Sequence, residues 1–307
     1  QGTPRRLIRT MNQLIPFQFA NHIAHGAFVV IDEGVAAMMD HRAYPPSVRE
    51  LIGQSLAAMP LLATHTRFEG RINLQFQSEQ AIKLLVAQVV QAEDAPLAVR
   101  AMAKVSSVVA KDESNFRYRD MLSHGILALM LEPADSDQPS RQAMVPIDGA
   151  SLAESLEGYF DQSEQLPTLI RLAATRDRVV GFMLQRLPLE HTKATQDSWE
   201  HLAILAATLN ADELLNAPPE VLMRRLFANE DWGFHAPQAI NVSCRCSRAG
   251  ISLLLLSLGR EEVDKIVAEQ GKVEVTCEFC GKNYVYTRSD AATLFVAEGS
   301  EQSVLKH

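Results

Sequence analysis

This sequence has few cysteines, no long apolar run and no excess of basic charge. No apolar run approaches the roughly 20 residues that a membrane-spanning helix needs. The 29 Lys and Arg residues are outnumbered by 37 Asp and Glu residues, and residues 241–307 alone carry eight basic and nine acidic side chains. This balance argues against a nucleic-acid-binding surface. We therefore expect neither a membrane nor a nucleic acid as a partner.

The N-terminal segment also lacks the apolar core of a secretion signal. Arg5, Arg6 and Arg9 supply basic charge, but Asn12 and Pro16 interrupt the residues that would form such a core. We therefore expect a cytoplasmic protein in a reducing compartment. In such a compartment, paired cysteines bind a metal or sense redox state more often than they stabilise a fold as disulfides.

Sequence motifs of common catalytic sites are missing as well. The chain contains no GxSxG, P-loop, dinucleotide-binding or HExxH pattern. Its histidines are scattered, without a fixed spacing to a carboxylate or a nucleophile. We therefore expect no enzymatic activity.

The four cysteines form two close pairs near the C-terminus. Cys244 and Cys246 are followed, after a spacer of 30 residues, by Cys277 and Cys280. Two close pairs brought together by the intervening chain make a Cys₄ tetrahedron, which is the closed ligand set of a structural zinc site. Gly281 can adopt a positive φ directly after the second pair, and this conformation turns backbone N–H groups toward the sulfurs. We therefore predict one Zn²⁺ on these four residues, with disulfides or buried core thiols as the alternatives.

The short spacings also bear on redox chemistry. Sulfurs in a tetrahedral zinc site stand roughly 3.8 Å apart, whereas a disulfide requires about 2.05 Å, so zinc and disulfides exclude each other on these cysteines. Four cysteines allow three disulfide pairings. The geometry permits a redox switch without establishing one.

Residues 1–190 are predicted to form a large α+β core domain, because many strand patterns are interleaved with a few longer helical patterns. Apolar residues recur at helical spacing over residues 48–65, and Ser151 with Glu154 has the pattern of a capping box that opens another helix. Strands are predicted at residues 27–31, 71–77, 82–91, 98–105, 126–131, 142–147, 169–173 and 179–187.

Residues 191–240 are predicted to be a helical linker. Trp199, Leu202 and Ala206 lie on one face of a helix, and a second helix begins at the prolines 218 and 219. Two short amphipathic helices are not stable alone, so they require a neighbouring surface. Two interpretations stay open: an ordinary helical connector, or a metastable segment whose apolar face becomes available when its support is lost.

Residues 241–307 are predicted to form a small zinc domain. Ser247 caps a helix with a leucine run at residues 253–256, a second helix ends at Gly271, a hairpin carries the second cysteine pair, and Ser289 caps a last helix. About 60 residues are too few for a robust core, whereas structural zinc supplies on the order of 10–16 kcal/mol of apparent binding energy. Loss of the metal is therefore expected to unfold this domain, to expose the leucine run and to weaken the support of the preceding helices.

The cysteine pattern and several blocks around it resemble the heat shock protein 33 family of redox-regulated holdase chaperones. The blocks are YPPSVRELIGQSLAA, RFEGRINLQFQ, LAESLEGYFDQSEQLPT and EEVDKIVAEQGKVEVTCEFCGKNY. The resemblance implies zinc on Cys244, Cys246, Cys277 and Cys280 in a reduced, inactive state. It also implies oxidation to the disulfides Cys244–Cys246 and Cys277–Cys280, with zinc release, linker unfolding, dimerisation and ATP-independent binding of unfolding client proteins.

Two segments depart from the family pattern. The residues Ser78 to Ala81 stand where the family has a glycine-rich turn, and Ala249 and Gly250 stand where it has charged residues. A glycine in the first turn of a helix loosens the helix by roughly 0.5–1 kcal/mol relative to alanine. We therefore expect the first departure to alter a turn of the core domain and the second to affect the switching threshold, and we expect neither to affect the four ligands.

A thiol-switched chaperone is the leading functional prediction, and the alternative is a constitutive protein-interaction module with an inert structural zinc ribbon. A zinc enzyme is disfavoured because four cysteine ligands leave no open coordination position, and because Thr276 stands where the deaminase pattern has proline. A thiol oxidoreductase that uses Cys277 and Cys280 is disfavoured because the pair leads into a strand instead of opening a helix.

Overall fold

The chain divides into two structural units, of which unit 1 ends at Ser243 and unit 2 begins at Cys244. The computed structural model describes residues 12–64, 69–106, 116–122, 124–135, 137–188 and 192–295. Among those residues, no helix combines the length and the apolar character that crossing a bilayer requires.

Unit 1 combines strands rich in β-branched and apolar residues with helices of apolar periodicity. Its strands are β1 (Gln13–Phe19), β2 (Ala24–Ile31), β3 (Gly70–Gln77), β4 (Ile82–Gln91), β5 (Leu97–Val105), β6 (Ile126–Pro133), β7 (Arg141–Pro146), β8 (Thr168–Ala174), β9 (Val179–Arg186), β10 (Trp232–Phe234) and β11 (Gln238–Val242). Its helices are α1 (Val35–Met39), α2 (Pro46–Thr64), α3 (Tyr118–Leu122), α4 (Leu152–Tyr159), α5 (Lys193–Ala207), α6 (Ala211–Asn216) and α7 (Pro219–Leu226), and a π-helical turn spans Phe160–Glu164.

Within the described part of unit 1, the eleven strands form one continuous sheet. Its order is β7-β6-β3-β4-β5-β11-β1-β2-β9-β8, and β10 pairs with β1. The strand β11 runs parallel to β5, with Ile240 opposite Leu97, and antiparallel to β1, with Ala239 opposite Gln13. It therefore connects the two halves of the sheet. Cys244 lies only two residues beyond the end of this strand.

Helix α2 packs against one face of the sheet, and most of its residues are buried. The approach is close at Gly53, where an added Cβ atom would lie 2.7 Å from the Cβ of Ala174. At the neighbouring strand, a Cβ on Gly181 would meet Leu61 of this helix. Successive residues of a strand point to opposite faces, so Phe182 points away from α2.

The opposite face of strands β1, β2, β8 and β9 is covered by α5, α6 and α7. The sheet contributes an aromatic group in which Phe17 and Phe182 stack at 5.9 Å and Phe28 lies 5.0 Å from Phe182. The helical segment contributes the buried residues Trp199, Leu202, Ala206, Leu209, Leu214, Leu222, Met223, Leu226 and Phe227. These helices therefore form a second hydrophobic core with the sheet.

Unit 2 has a small core of its own. Its elements are α8 (Arg248–Leu258), α9 (Arg260–Gln270), β12 (Lys272–Thr276), β13 (Asn283–Thr287) and a helical segment at residues 288–295. Its buried hydrophobic residues are Leu255, Val263, Val267, Val273, Tyr284, Tyr286 and Ala291. Ser247 caps α8 by accepting a hydrogen bond from the N–H of Gly250, and Gly271 ends α9 with φ 78°.

The structure confirms the predicted α+β class and most of the predicted elements. Strands β1, β10 and β11 are additional, and the segment predicted to be helical contains a third helix, α6, before it returns to the sheet. The predicted helix over residues 48–65 is α2, which ends at Thr64, and His65 lies outside the described residues. Short strands of mixed composition lack the long periodic pattern that identifies an element from sequence.

Two predicted helix caps differ in detail. The Ser151 hydroxyl accepts from the N–H of Glu154 as predicted, but the Glu154 carboxylate accepts from the N–H of Ala150. Ser289 is not the cap of the last helical segment, because the Thr287 hydroxyl accepts from the N–H of Asp290.

The expected burial of the leucine run is wrong for two of its members. Leu253 and Leu254 are 68% and 49% exposed, and Leu258 on the same helix is 50% exposed, whereas Leu255 is buried. A helix presents only part of its circumference to a single small core, so a continuous apolar run must leave some side chains outside. This surface does not depend on unfolding of unit 2.

Candidate metal centre

Two local backbone arrangements present the four cysteines. Cys244 and Cys246 lie in the segment without regular structure between β11 and α8. Cys277 and Cys280 lie in the turn between β12 and β13, where the N–H of Gly281 donates to the carbonyl of Cys277 at 2.8 Å. Gly281 has φ 70°, in the left-handed region that glycine adopts without steric cost.

The structure brings the sulfurs of all four cysteines together. Their Sγ atoms lie within 4.8 Å of one another. The contacts between Cys244 and Cys277 and between Cys246 and Cys280 are both 3.5 Å. These separations bracket the roughly 3.8 Å expected between sulfurs on a tetrahedral zinc ion. The cluster therefore has the donor atoms and the size of a Cys₄ metal site.

Hydrogen-bond donors point at three of the sulfurs. The Cys277 sulfur accepts from the backbone N–H groups of Phe279 and Cys280, and the Cys280 sulfur accepts from that of Lys282. The Cys246 sulfur accepts from the hydroxyl of Tyr284 at 3.2 Å. Donors of this kind orient metal-bound thiolates and stabilise their negative charge.

The electrostatics of the cluster favour a bound cation. Burial raises the pKa of the Cys280 thiol to about 12, against the opposing hydrogen bond from Lys282, and burial also raises the pKa of Cys277. Burial acts in the same direction on Cys246, but hydrogen bonds from Tyr284 and the other cysteines outweigh it and lower the pKa of Cys246 to about 7. Several thiolates held this closely repel one another, so a divalent cation among them would offset the repulsion.

The two contacts of 3.5 Å each join one cysteine of the first pair to one of the second. The predicted disulfides join the cysteines within each pair, so these contacts do not correspond to the predicted pairing. That pairing stays a prediction. It concerns a state in which the sulfurs have left their common site, since a disulfide requires about 2.05 Å between sulfurs.

Tyr284 is a site residue that the sequence motifs did not single out. Its position on β13 is opposite Val275 on β12. Residues opposite each other in an antiparallel pair share a face, and so do residues two apart along an extended strand. The alternation from Val275 to Cys277 was therefore a signal that Tyr284 lies on the cysteine side of the hairpin.

Comparisons with known proteins give consistent matches over most of this chain. A family model described as Hsp33 protein matches residues 12–287. A 33 kDa chaperonin of Methylobacillus flagellatus is 34% identical over 283 residues, which cover 92% of this chain and 94% of that protein. A 33 kDa chaperonin of Nitrosococcus oceani is 36% identical over 282 residues, which cover 92% of this chain and 93% of that protein.

A solved structure shares the fold. The crystal structure of a 33 kDa chaperonin (heat shock protein 33 homolog) from Thermotoga maritima matches with a TM-score of 0.77, and the match covers 94% of this chain and 99% of that chain at 21% identity. The family model matches most of the sequence, and the chaperonins of Methylobacillus flagellatus and Nitrosococcus oceani exceed 30% identity over nearly their whole length. This chain therefore belongs to the Hsp33 family.

Proposed function

We propose that this protein is a cytoplasmic, redox-regulated and ATP-independent holdase chaperone. In the proposed resting state, Cys244, Cys246, Cys277 and Cys280 bind one Zn²⁺ and the protein is inactive. Oxidation forms the disulfides Cys244–Cys246 and Cys277–Cys280, releases the metal and frees a surface that binds unfolding proteins. The convergence of all four thiols of a chaperone-family chain on one site within a small unit carries this proposal.

The size of unit 2 supports the coupling between metal and fold. Its core contains seven buried hydrophobic side chains among its described residues, and such a core is marginal without an additional cross-link. A bound zinc ion would offset part of the negative charge of the four thiolates and link the segment of Cys244 and Cys246 to the hairpin, with on the order of 10–16 kcal/mol of apparent binding energy. Oxidation of the ligands removes that contribution, so we expect unit 2 to unfold.

The helices of residues 193–226 provide the second component of the proposed switch. They have 15, 6 and 8 residues, and isolated helices of such lengths are marginal in water. Their stability therefore depends on docking to the sheet of unit 1. Release of these helices would expose both their own apolar faces and the aromatic face of the sheet around Phe17, Phe28 and Phe182. Large apolar surfaces of this kind bind other apolar surfaces.

Two strands of the sheet join the two components along the chain. Strand β11 follows α7 and β10 in the chain, and Cys244 comes two residues after it. We propose that unfolding of unit 2 frees the chain beyond β11 and lowers the cost of withdrawing the linker from the sheet. The exposed apolar surface would also support the homodimerisation that we propose for the oxidised state. The proposal includes no catalysed reaction.

One observation favours the second candidate, a constitutive interaction module with an inert zinc ribbon. Leu253, Leu254 and Leu258 are exposed while unit 2 is folded, so an apolar surface is available without oxidation. This candidate predicts equal client binding by the reduced and the oxidised protein. It also predicts that Leu254→Asp lowers client binding in both states.

The test compares metal content, thiol content and holding activity in one preparation. Reduced protein is expected to contain about one zinc per chain, and four thiols per chain once the protein is unfolded and the metal is removed. Peroxide with mild heat should release the zinc, remove the free thiols and give the two proposed disulfides by peptide mapping. Light scattering of a heat-labile client enzyme should fall only after this treatment. Complete zinc release without a gain in holding activity would refute the switch.

A further inference from the structure

The donors to the cysteine sulfurs differ in kind. Those identified for Cys277 and Cys280 are backbone N–H groups of their own turn, which any sequence with that turn conformation can supply. The donor to Cys246 is a side chain, the hydroxyl of Tyr284 at 3.2 Å. This contact joins the first cysteine pair to the strand that follows the second pair, and it depends on the identity of one residue.

Several contacts fix the position of the Tyr284 hydroxyl. The residue is 5% exposed and belongs to the core of unit 2. Its backbone is held by the pairing of Tyr284 with Val275 in the hairpin, and the ammonium group of Lys282 lies 5.3 Å from the centre of its ring. The hydroxyl is therefore directed at the Cys246 sulfur by the packing of the whole side chain.

A hydrogen bond to a thiolate has a defined chemical effect. It withdraws electron density from the sulfur, so the sulfur becomes a weaker nucleophile while its negative charge is stabilised. A reaction of the thiolate with an electrophilic oxidant must weaken or break this hydrogen bond. A donor placed on one sulfur therefore slows oxidation at that sulfur.

We infer that Tyr284 is a positioning residue of the redox centre, whose hydroxyl holds the Cys246 sulfur in place and slows its attack on peroxide. The inference rests on the metal-bound resting state proposed above, and it concerns the threshold of the switch. In the affected step, the Cys246 thiolate attacks one oxygen of hydrogen peroxide, an S–O bond forms, the O–O bond breaks, and the departing hydroxide takes a proton from solvent. The sulfur loses two electrons and the peroxide gains them. A second cysteine thiolate then attacks the resulting sulfenic sulfur, so that an S–S bond forms and hydroxide leaves.

The sequence offers a matched control for this tyrosine. Tyr286 stands two residues further along β13 and is also buried, but its hydroxyl donates to the carbonyl of Arg248 at 2.8 Å. Tyr284→Phe and Tyr286→Phe each remove one hydroxyl from the same core and leave the ring in place. Only Tyr284→Phe removes a hydrogen bond to a sulfur.

The experiment uses the full chain loaded with Co²⁺, whose sulfur-to-metal absorption band reports on the thiolates, and the same variants loaded with Zn²⁺. Tyr284→Phe should shift the band to longer wavelength and should release zinc about tenfold faster with peroxide. Alkylation of the metal-bound protein, followed by mass spectrometry, should show the increase in reactivity at Cys246. Tyr286→Phe should resemble the unaltered protein in all three measurements.

Three results would overturn the inference: an unshifted band with unchanged reactivity in Tyr284→Phe, an equal rise in reactivity at all four cysteines, or the same effect from Tyr286→Phe. The second and third results would indicate general loosening of unit 2. Failure of the proposed function is a separate observation, because unaltered protein would then bind no Co²⁺ or would release its metal without gaining holding activity.

Discussion

Replacing Phe227 by alanine separates release of the linker from chemistry at the cysteines. Phe227 follows the last residue of α7 and is fully buried, and its ring meets the edge of Phe19 on β1 at 5.0 Å with an interplanar angle of 85°. The indole N–H of Trp232 donates to its carbonyl at 3.2 Å. The side chain thus anchors the end of the helical segment on the sheet.

The free energy of docking that Phe227→Ala should remove is large relative to the stability of such a segment. Removing a buried phenylalanine side chain costs about 3–5 kcal/mol, because both the apolar contacts and the packing around them are lost. The helices α5 to α7 are too short to persist undocked, so the loss should appear as their release from the sheet. The four cysteines belong to unit 2, so the metal content should not change.

The assay measures holding activity in reducing buffer without oxidant. Phe227→Ala should suppress light scattering of a heat-labile client while retaining about one zinc per chain. Limited proteolysis should cut within residues 193–226 of this variant faster than in the unaltered protein. The control is Val221→Ala on α7; this side chain is 54% exposed, and its loss should change stability by about 0.5 kcal/mol or less.

One combination of results would refute the reasoning. If proteolysis shows that the helices are released in Phe227→Ala, the zinc is retained and holding activity is still absent until oxidation, then the linker does not control the client-binding surface. If the variant fails to fold, Leu222→Ala on the same face offers a smaller loss, of about 2–5 kcal/mol, with the same expected outcome.

The remaining predictions concern unit 2. The Arg248 guanidinium lies 4.3 Å from the ring centre of Tyr286 and donates to the carbonyl of Val285 at 3.0 Å. Arg248→Ala removes these contacts to β13 and should therefore lower the chelator concentration that removes half of the zinc. An unchanged midpoint of this chelator titration would contradict the expectation. Gly250→Ala should slow zinc release by about two- to fivefold, because alanine makes α8 more stable than glycine does. The added Cβ would lie 3.3 Å from the Ser247 hydroxyl, which must shift to make room; faster zinc release would show that the hydroxyl cannot shift. Chelation should raise amide hydrogen exchange throughout residues 248–295 and leave β2 and β9 protected, and retained protection in α9 would show that unit 2 does not need the metal.

Most of the centre could be predicted because its determinants are local. A CxC pair and a CxxCG turn each place two sulfurs within a few residues, and Gly281 takes the positive φ that the turn requires. Likewise Ser247 caps α8 and Gly271 ends α9, because capping depends on side-chain chemistry within one helical turn.

Long-range pairing could not be predicted in the same way. The five residues of β11 are assigned to the middle of the sheet by their partners on β5 and β1, which lie far away in the sequence. The apolar stripe of Trp199 and Leu202 indicated that α5 must dock somewhere, but periodicity does not identify the surface that receives it. The exposure of Leu253 and Leu254 could not be predicted for the same reason, because composition does not reveal which side of a helix meets the core.

The sequence by itself determined the α+β class, the family and the two close cysteine pairs, because each follows from residue chemistry over short spacings or from ordered blocks of residues. The tertiary structure alone decided which aromatic face the helices α5 to α7 cover, where β11 enters the sheet, and that the Tyr284 hydroxyl reaches the Cys246 sulfur. The physical reason is that backbone propensities act between near neighbours, whereas burial and partner choice depend on the packing of segments that are distant along the chain.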